Sequence, residues 1–205
     1  NLYALDAHSG NKLWNFASGG GASSSPAVAN GVVYFGSDSL YALDAHSGSK
    51  LWSYDTGSPI YSSPAVANGV VYFGSEDHSL YALAAHSGSK LWSFAAGDVN
   101  LYSPAVVNGV VYFGSNAGTF YALDAHSGSK LWSFTTGSPI YSSPAVANGV
   151  VYFGSSNGAN NSLYALDAHS GSKRWSFANG GGPSHALAYP SSPAIANGIV
   201  YFGSY

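Results

Sequence analysis

Apolar segments of five or six residues recur along this chain between short polar turns. The whole pattern repeats about every 41 residues. In one unit the apolar segments are residues 62–67, 70–75, 79–84 and 90–94. Four short segments with four turn signals are typical of β-strands, because helices would need longer uninterrupted runs. The pattern therefore predicts four antiparallel strands in each unit.

The repeated phrases are nearly identical in five places. The phrase NGVVYFGS occurs four times and returns near the end of the chain as NGIVYFGS, starting at Asn30, Asn68, Asn108, Asn148 and Asn197. Asn-Gly is the preferred pair for a two-residue type I′ hairpin, because both residues need a positive φ. A four-stranded unit of about 41 residues fits one blade of a β-propeller. We therefore predict an all-β, five-bladed β-propeller of four-stranded antiparallel blades.

Proline and tryptophan indicate the order of strands within a blade. A proline precedes each first strand and cannot donate to a ladder, which favours the innermost position with its free edge. The second strand, Val-Val-Tyr-Phe, lacks polar alternation, as expected for a strand buried on both faces. The outermost, fourth strand carries a tryptophan that we expect to pack into the seam with the next blade. These residues are Trp14, Trp52, Trp92, Trp132 and Trp175.

The sequence starts and stops partway through a repeat unit. Intact blades are expected at about 24–54, 62–94, 103–134 and 142–177, and a split blade combines 191–205 with 1–16. Pairing residues 2–6 with 199–204 would close the ring and remove two exposed edges. We therefore expect a single, closed, monomeric domain over 1–205. Copies this similar could instead exchange strands between chains or belong to a larger ring.

Composition narrows the choice of partners. The net charge is −3 and only 7% of residues are charged, which disfavours nucleic acid and anionic membranes. No apolar run is long enough to span a bilayer and no leader opens the chain, so we expect a soluble polypeptide. The absence of cysteine excludes disulfides and thiolate metal sites. The absence of methionine indicates a processed, trimmed or engineered product.

Side chains repeated in every blade are predicted to be structural. The histidine of each AHSG sequence lies in the turn between third and fourth strands, so neighbouring copies are too far apart to share a metal ion. The aspartate before that turn is expected to accept local backbone hydrogen bonds, and Ala84 replaces it in the third copy. We expect no metal and no cofactor. We also expect His86→Ala to affect stability far less than Trp92→Ala.

The copies differ mainly on one face of the predicted propeller. We call the turns between second and third strands, together with the inter-blade loops, the variable face. The Asn-Gly and AHSG turns form the opposite, uniform face. Binding residues usually lie in loops on a rigid scaffold, so the variable face is the expected ligand site. An alternative stays open, in which these loops differ between copies only because they tolerate substitution.

Tyrosines near polar groups on the variable face suit a small polar ligand such as a carbohydrate, or a peptide or protein. Aromatic rings supply the apolar contact and the polar groups fix orientation. The candidate ligand-binding residues are Tyr61, Asp98, Asn100, Tyr102, Tyr141, His185 and Tyr189.

The sequence ALDAHSGSKLW at residues 42–52 resembles the tryptophan-docking motif of the pyrroloquinoline-quinone-type (PQQ-like) β-propeller repeat family. The motif positions are Ala42, Asp44, Ser47, Gly48, Lys50 and Trp52, and the match covers essentially the whole chain. The family includes quinoprotein alcohol dehydrogenases, an outer-membrane assembly lipoprotein and bacterial propeller domains, which are commonly periplasmic or exported. The resemblance implies the blade type. Larger members commonly have eight blades, so five copies depart from the family pattern.

Three functions are compatible with these sequence features. The favoured one is a non-catalytic scaffold or binding propeller, either natural or engineered or amplified from one blade. A degenerate quinoprotein dehydrogenase is disfavoured, because the family's cofactor site uses a vicinal cysteine pair and calcium-binding carboxylates. A glycosidase, by analogy with other five-bladed propellers, needs paired carboxylates about 5 to 10 Å apart. Its loop candidates are Asp38, Asp55, Glu76, Asp77 and Asp98. No recognisable motif surrounds them, so no catalytic residue is assigned.

Overall fold

The computed structural model describes residues 1–21, 24–97, 102–156, 161–178 and 191–203. These residues form twenty β-strands and no helix. It follows that the described part of the chain contains no helix able to cross a membrane. Strands with the same place in the repeat have closely similar sequences.

The strands fall into four groups of five. The first strands are β3 (Ala27–Ala29), β7 (Ala65–Ala67), β11 (Ala105–Val107), β15 (Ala145–Ala147) and β19 (Ala194–Ala196). The second strands are β4 (Val32–Gly36), β8 (Val70–Gly74), β12 (Val110–Gly114), β16 (Val150–Ser156) and β20 (Ile199–Tyr201). The third strands are β1 (Leu2–Leu5), β5 (Leu40–Asp44), β9 (Ser79–Ala84), β13 (Thr119–Asp124) and β17 (Asn161–Asp167). The fourth strands are β2 (Lys12–Phe16), β6 (Lys50–Tyr54), β10 (Lys90–Ala95), β14 (Lys130–Thr135) and β18 (Lys173–Ala178).

Four sheets contain all four strand types in sequential order: β3-β4-β5-β6, β7-β8-β9-β10, β11-β12-β13-β14 and β15-β16-β17-β18. Neighbouring strands in these sheets are antiparallel. Five repeats of four strands account for all twenty described strands. The prediction of an all-β, five-bladed propeller with four-stranded antiparallel blades is confirmed.

The Asn-Gly hairpins form as the sequence predicts. Ala67 pairs with Val70, so that Asn68 and Gly69 alone make the loop. Their φ angles are 49° and 76°. The other four asparagines of this turn also have a positive φ. This left-handed conformation is the one that a type I′ turn requires and that Asn and Gly tolerate best.

The core of each blade lies on its second and third strands. Phe73 and Leu83 are completely buried. The Phe73 ring stacks on the third-strand Tyr81 with ring centroids 5.4 Å apart. In the blade β11–β14, Phe113 and Tyr121 form the same stack at 5.1 Å. The uninterrupted apolar sequence of the second strand is therefore explained by burial on both faces.

Three of the five tryptophans, Trp14, Trp52 and Trp132, contact the next blade along the chain. Trp52 Nε1 donates to the Ala85 carbonyl of the next blade at 3.0 Å. The Trp52 ring also covers Gly88, where an added Cβ would lie only 2.7 Å from ring carbon. The equivalent hydrogen bonds are Trp14 to Ala45 and Trp132 to Ala168. Each of these seams thus combines apolar burial with a satisfied indole donor.

The inter-blade loop at residues 55–60 is anchored by Ile60, which is completely buried. Its backbone N–H donates to the Ser37 carbonyl at 2.7 Å, and its side chain lies directly over Gly36. The loop is also tied to the following blade, because Glu76 N–H donates to the Pro59 carbonyl at 3.0 Å. The loop is therefore part of a rigid surface rather than a free connection.

Each terminal hairpin forms a two-stranded sheet, β1–β2 in the first part of the chain and β19–β20 in the last. The pairing expected between residues 2–6 and 199–204 stays a prediction. The closed ring with a split blade and the monomeric state depend on this pairing, so they stay predictions as well.

The chain separates into two compact units, Asn1–Ala95 and Ala96–Tyr205. The first contains β1 to β10 and the second β11 to β20. Each unit has its own hydrophobic cluster, in which second-strand and third-strand side chains pack with a buried loop isoleucine, Ile60 or Ile140. A single domain over 1–205 stays a prediction.

Candidate functional site

On the uniform face, local hydrogen bonds fix the conformation of each AHSG turn. Asp44 Oδ1 accepts the backbone N–H of His46 at 3.1 Å and that of Ser47 at 2.7 Å. It also accepts the Ser47 hydroxyl at 2.8 Å. Asp124 has the same partners in the second unit. The turn histidines are all exposed: His8, His46, His86, His126 and His169.

Hydrogen bonding lowers the pKa of these turn aspartates. At Asp44 the largest cause is the Ser47 backbone N–H, followed by the Ser47 hydroxyl. At Asp167 the Arg174 guanidinium, 2.8 Å away, is the largest cause of the lowered pKa. Both effects favour the carboxylate form. The repeated aspartates therefore act as local turn acceptors, as the sequence predicts.

We expect the Asp44 and Asp124 carboxyls to titrate below their ordinary pKa of 3.8. A group with a lowered pKa in the folded state stabilises the protein above its unfolded pKa, and this contribution is lost as the pH falls through the folded pKa. Stability should therefore decline on acidification below about pH 4. Carbon-detected NMR titration measures these pKa values.

Ala84→Asp provides the matched variant for this titration, because it adds the missing carboxylate to the same turn. We expect its new carboxyl to titrate with a similarly lowered pKa. An ordinary pKa near 3.8 at Asp44 and Asp124 would contradict the hydrogen-bonding pattern.

An open polar cavity lies on the variable face of the first unit. Its volume is about 290 Å³. It is formed by the β4–β5 turn and the β6–β7 loop, with the lining residues Asp38, Ser39, Asp55, Gly57, Ser58 and Pro59. The side chains of Asp38 and Asp55 are exposed. The cavity therefore offers two carboxylates on a surface held in place by Ile60.

Two third-strand tyrosines orient acidic side chains of the second-to-third turns. The Tyr41 hydroxyl donates to Asp38 Oδ1 at 2.9 Å, and the Tyr81 hydroxyl donates to Asp77 in a short bond. Burial raises the pKa of Tyr41, with further contributions from its bond to Asp38 and from the charge of Asp55. Burial and then the bond to Asp77 raise the pKa of Tyr81. Both phenols therefore remain donors at neutral pH.

An aromatic pair lies on the variable face of the second unit. The rings of Tyr102 and Tyr141 meet edge to face, with centroids 5.7 Å apart and an interplanar angle of 84°. In the blade β7–β10 the position of Tyr102 is held by Ser62, whose hydroxyl bonds both the N–H and the carbonyl of Gly74. Tyr102 instead uses its backbone N–H to bond the Gly114 carbonyl at 3.2 Å. The replacement adds a half-buried ring to this face.

Three of the seven predicted ligand-binding residues lie in the described structure. It brings Tyr102 and Tyr141 together in the second unit, and Tyr61 lies in the first unit with 55% of its surface exposed. The remaining four, Asp98, Asn100, His185 and Tyr189, lie outside the described residues. The binding role of all seven stays a prediction.

Ser58 and Pro59 line the cavity but are not among the residues predicted from the sequence. The recurrence of the sequence GSPI at residues 57–60 and 137–140 could have indicated them. In both places the isoleucine is completely buried. A Ser-Pro pair that recurs before a buried isoleucine indicates a loop with a defined conformation.

One known protein family matches the chain over its whole length. The model of the family described as outer membrane protein assembly factor BamB matches residues 1–103 and 96–205, which together cover the whole sequence. The chain belongs to this PQQ-like β-propeller family. No curated protein sequence matches it.

Solved structures show the same fold at low sequence identity. BamB from Moraxella catarrhalis is 21% identical with a TM-score of 0.78, covering 98% of this chain and 64% of BamB. A quinohemoprotein alcohol dehydrogenase from Pseudomonas putida HK5 is 21% identical with a TM-score of 0.70, covering 89% of this chain and 38% of the enzyme. A computationally designed protein is 18% identical with a TM-score of 0.74, covering 87% of this chain and 54% of the design. The chain thus spans under two thirds of each of these proteins.

The residues of this chain do not fit the quinone site that the resemblance to dehydrogenases implies. A vicinal cysteine pair is impossible in a sequence without cysteine. Among the described residues, no three histidine or acidic side chains form a group that could hold a metal ion. Asp38 and Asp55 at the cavity already accept local hydrogen bonds, from Tyr41 and Gly57.

Proposed function

We propose that this chain is a non-catalytic β-propeller that binds a peptide segment of a partner protein on its variable face. The observation that carries the proposal is the contrast between the two faces. On the uniform face, one oxygen of Asp44 accepts three hydrogen bonds from its own turn. On the variable face, Asp38 and Asp55 accept fewer local bonds and are exposed at an open cavity. The family description, a protein assembly factor, supports a protein partner.

The variable face is organised before any ligand arrives. Ile60 and Ile140 anchor equivalent inter-blade loops, with backbone bonds to Ser37 at 2.7 Å and to Ser115 at 3.1 Å. Binding to such loops does not require them to be ordered first, which reduces the entropic cost of association. A preorganised loop surface is typical of binding scaffolds.

The chemistry of this face suits a peptide with a basic residue. Asp38 and Asp55 present negative charge at the cavity, and the chain as a whole has a net charge of −3. A lysine or arginine side chain would gain charge-assisted hydrogen bonds there. In the second unit, Tyr102 and Tyr141 offer aromatic surface of the kind enriched at binding interfaces.

The absence of catalysis is part of the proposal. A hydrolase needs two carboxylates or an equivalent pair converging on one reacting atom. Asp38 is oriented by Tyr41, and Asp77 is oriented by Tyr81, in separate blades of the first unit. Turnover of a glycoside or an alcohol that is lost in Asp98→Asn or Glu76→Gln would overturn this part of the proposal.

Selection of a random peptide library against the chain, followed by fluorescence anisotropy with one selected peptide, tests the binding proposal. We expect Asp38→Asn combined with Asp55→Asn, or Tyr102→Ala combined with Tyr141→Ala, to weaken binding at least about tenfold. The control, His46→Ala with His126→Ala on the uniform face, should leave the dissociation constant unchanged. A glycan library is screened in parallel. The proposal would be contradicted if only the control substitutions weakened peptide binding, or if the chain bound glycans and no peptide.

A further inference from the structure

The cavity beside Asp38 lies where one blade has a shortened turn. In the β4–β5 turn, Asp38 is the one residue enclosed by a bond of 3.0 Å from the Ser37 N–H to the Ser39 carbonyl. In the second unit the corresponding β12–β13 turn encloses three residues, 116–118, by an equivalent bond of 3.0 Å. The turn at the cavity is therefore two residues shorter than its counterpart.

The longer turn of the second unit shows what this position accepts. Its last residue, Gly118, lies directly against the inter-blade loop that follows, because an added Cβ would be 2.7 Å from the Ser138 carbonyl oxygen. The Gly118 carbonyl accepts the Thr136 N–H of that loop at 2.8 Å. The glycine has a φ of 79°, in the left-handed region. It therefore contributes a carbonyl oxygen where no side chain fits.

The loop of the first unit has the same sequence but lacks this contact. Residues 56–63 and residues 136–143 both read TGSPIYSS. The Thr56 N–H has no acceptor among the described residues, whereas the Thr136 N–H has one. Ser58 of this loop lines the open cavity. The first unit thus presents, at a cavity, the donor and the surface that a turn of the chain occupies in the second unit.

The two units also differ in charge at this place. Asp38 and Asp55 line the cavity, whereas Thr135 replaces the second aspartate in the other unit and residues 116–118 are uncharged. Each aspartate uses Oδ1 for local hydrogen bonds, and Oδ2 of neither accepts one among the described residues. An ammonium or guanidinium group would gain charge-assisted bonds to these oxygens. The shorter turn and the added charge occur together, at the same cavity.

We propose that this cavity binds a peptide turn in which a glycine is next to a lysine or arginine, in the way that residues 116–118 pack within the second unit. The glycine carbonyl accepts the Thr56 N–H, and the glycine Cα packs against Ser58. The cationic side chain contacts Asp38 and Asp55. This inference rests on the proposed function, because it names the peptide chemistry that the variable face recognises.

NMR titration with a short peptide tests the contact. The probe is Ser-Lys-Ala-Gly-Thr, capped at both ends, which copies residues 115–119 with lysine in place of Asn116. We expect the Thr56 amide signal to move as peptide is added and its exchange with solvent to slow. The Thr136 amide is the internal control, because it is already bonded within an identical loop, and should not move. An unchanged Thr56 signal, or equal movement of both signals, would overturn the inference.

Two substitutions test the fit of the turn. Alanine in place of the probe's glycine should weaken binding at least about tenfold, because its Cβ would meet the Ser58 backbone. In the chain, replacing Asp38 by the sequence Asn-Ala-Gly gives the first unit the longer turn and should abolish probe binding. Circular dichroism verifies that this chain is folded. Asp38→Asn is the matched control, which keeps the short turn and should still show movement of the Thr56 signal at higher peptide concentration.

The outcomes separate this inference from the proposed function. Peptides selected from the random library are titrated into the unmodified chain and into the chain with the longer turn. Equal binding to both, without movement of the Thr56 signal, would overturn the cavity as the glycine site and leave peptide binding on the variable face intact. Failure to select any peptide would overturn both.

Discussion

Trp132→Ala is expected to lower the free energy of unfolding by about 4 kcal/mol, since large core side chains cost about 3 to 5 kcal/mol on truncation to alanine. The indole N–H donates to the Ala168 carbonyl at 3.2 Å, and the ring stacks on Phe120 with centroids 6.0 Å apart. It also fills the space over Gly171. Truncation therefore removes apolar burial, leaves a cavity and releases a hydrogen bond in one seam.

Leu131→Ala is the matched control, because Leu131 precedes Trp132 on the same strand and is 52% exposed. We expect it, like His86→Ala on the uniform face, to change stability by less than about 0.5 kcal/mol. Denaturant unfolding of the three variants measures the contrast. Similar losses for Trp132→Ala and Leu131→Ala would show that the seam does not stabilise the blades.

Gly36→Ala is expected to cost about 3 kcal/mol, at the upper end of overpacking substitutions. A Cβ at residue 36 would lie 2.5 Å from both Ile60 Cγ2 and the Ile60 carbonyl oxygen. The side chain could rotate away, but the backbone oxygen is held because Ile60 N–H bonds the Ser37 carbonyl at 2.7 Å. The substitution should therefore displace the inter-blade loop as well as destabilise the blade.

Gly31→Ala separates this steric effect from a general effect of replacing glycine. Gly31 lies in the Asn-Gly hairpin with φ of 75° and has nothing within 4 Å of an added Cβ. Only backbone strain of about 1 kcal/mol is expected there. Thermal unfolding of both variants compares the two costs. An equal or larger loss at Gly31 would mean that the close approach of Ile60 does not constrain the loop.

The strands, the Asn-Gly turns and the tryptophan seams could be predicted because each depends on a short repeated pattern. Val70 to Phe73 signals a strand buried on both faces, and Asn68-Gly69 signals the hairpin before it. Closure of the ring is a different kind of prediction. Residues 2–6 and 199–204 repeat third-strand and second-strand patterns, but their pairing depends on the angle accumulated over every seam, which no local pattern describes.

The candidate site was predictable in position more than in detail. The variable face follows from where the copies differ, and the pairing of Tyr102 with Tyr141 occurs on that face. The cavity beside Asp38 could not be foreseen, because it depends on the burial of Ile60 and the resulting path of the loop through Pro59. Such a path results from tertiary packing, which no residue pattern in the loop describes.

Hydrogen–deuterium exchange of the chain, with and without a peptide selected for binding, tests most directly whether the variable face is the binding face. The account predicts added protection at residues 37–39, 55–60 and 75–79, which belong to the turns and loops of that face in the first unit. It predicts no change at the AHSG turns, residues 44–48 and 124–128. Protection confined to those turns would contradict the central claim.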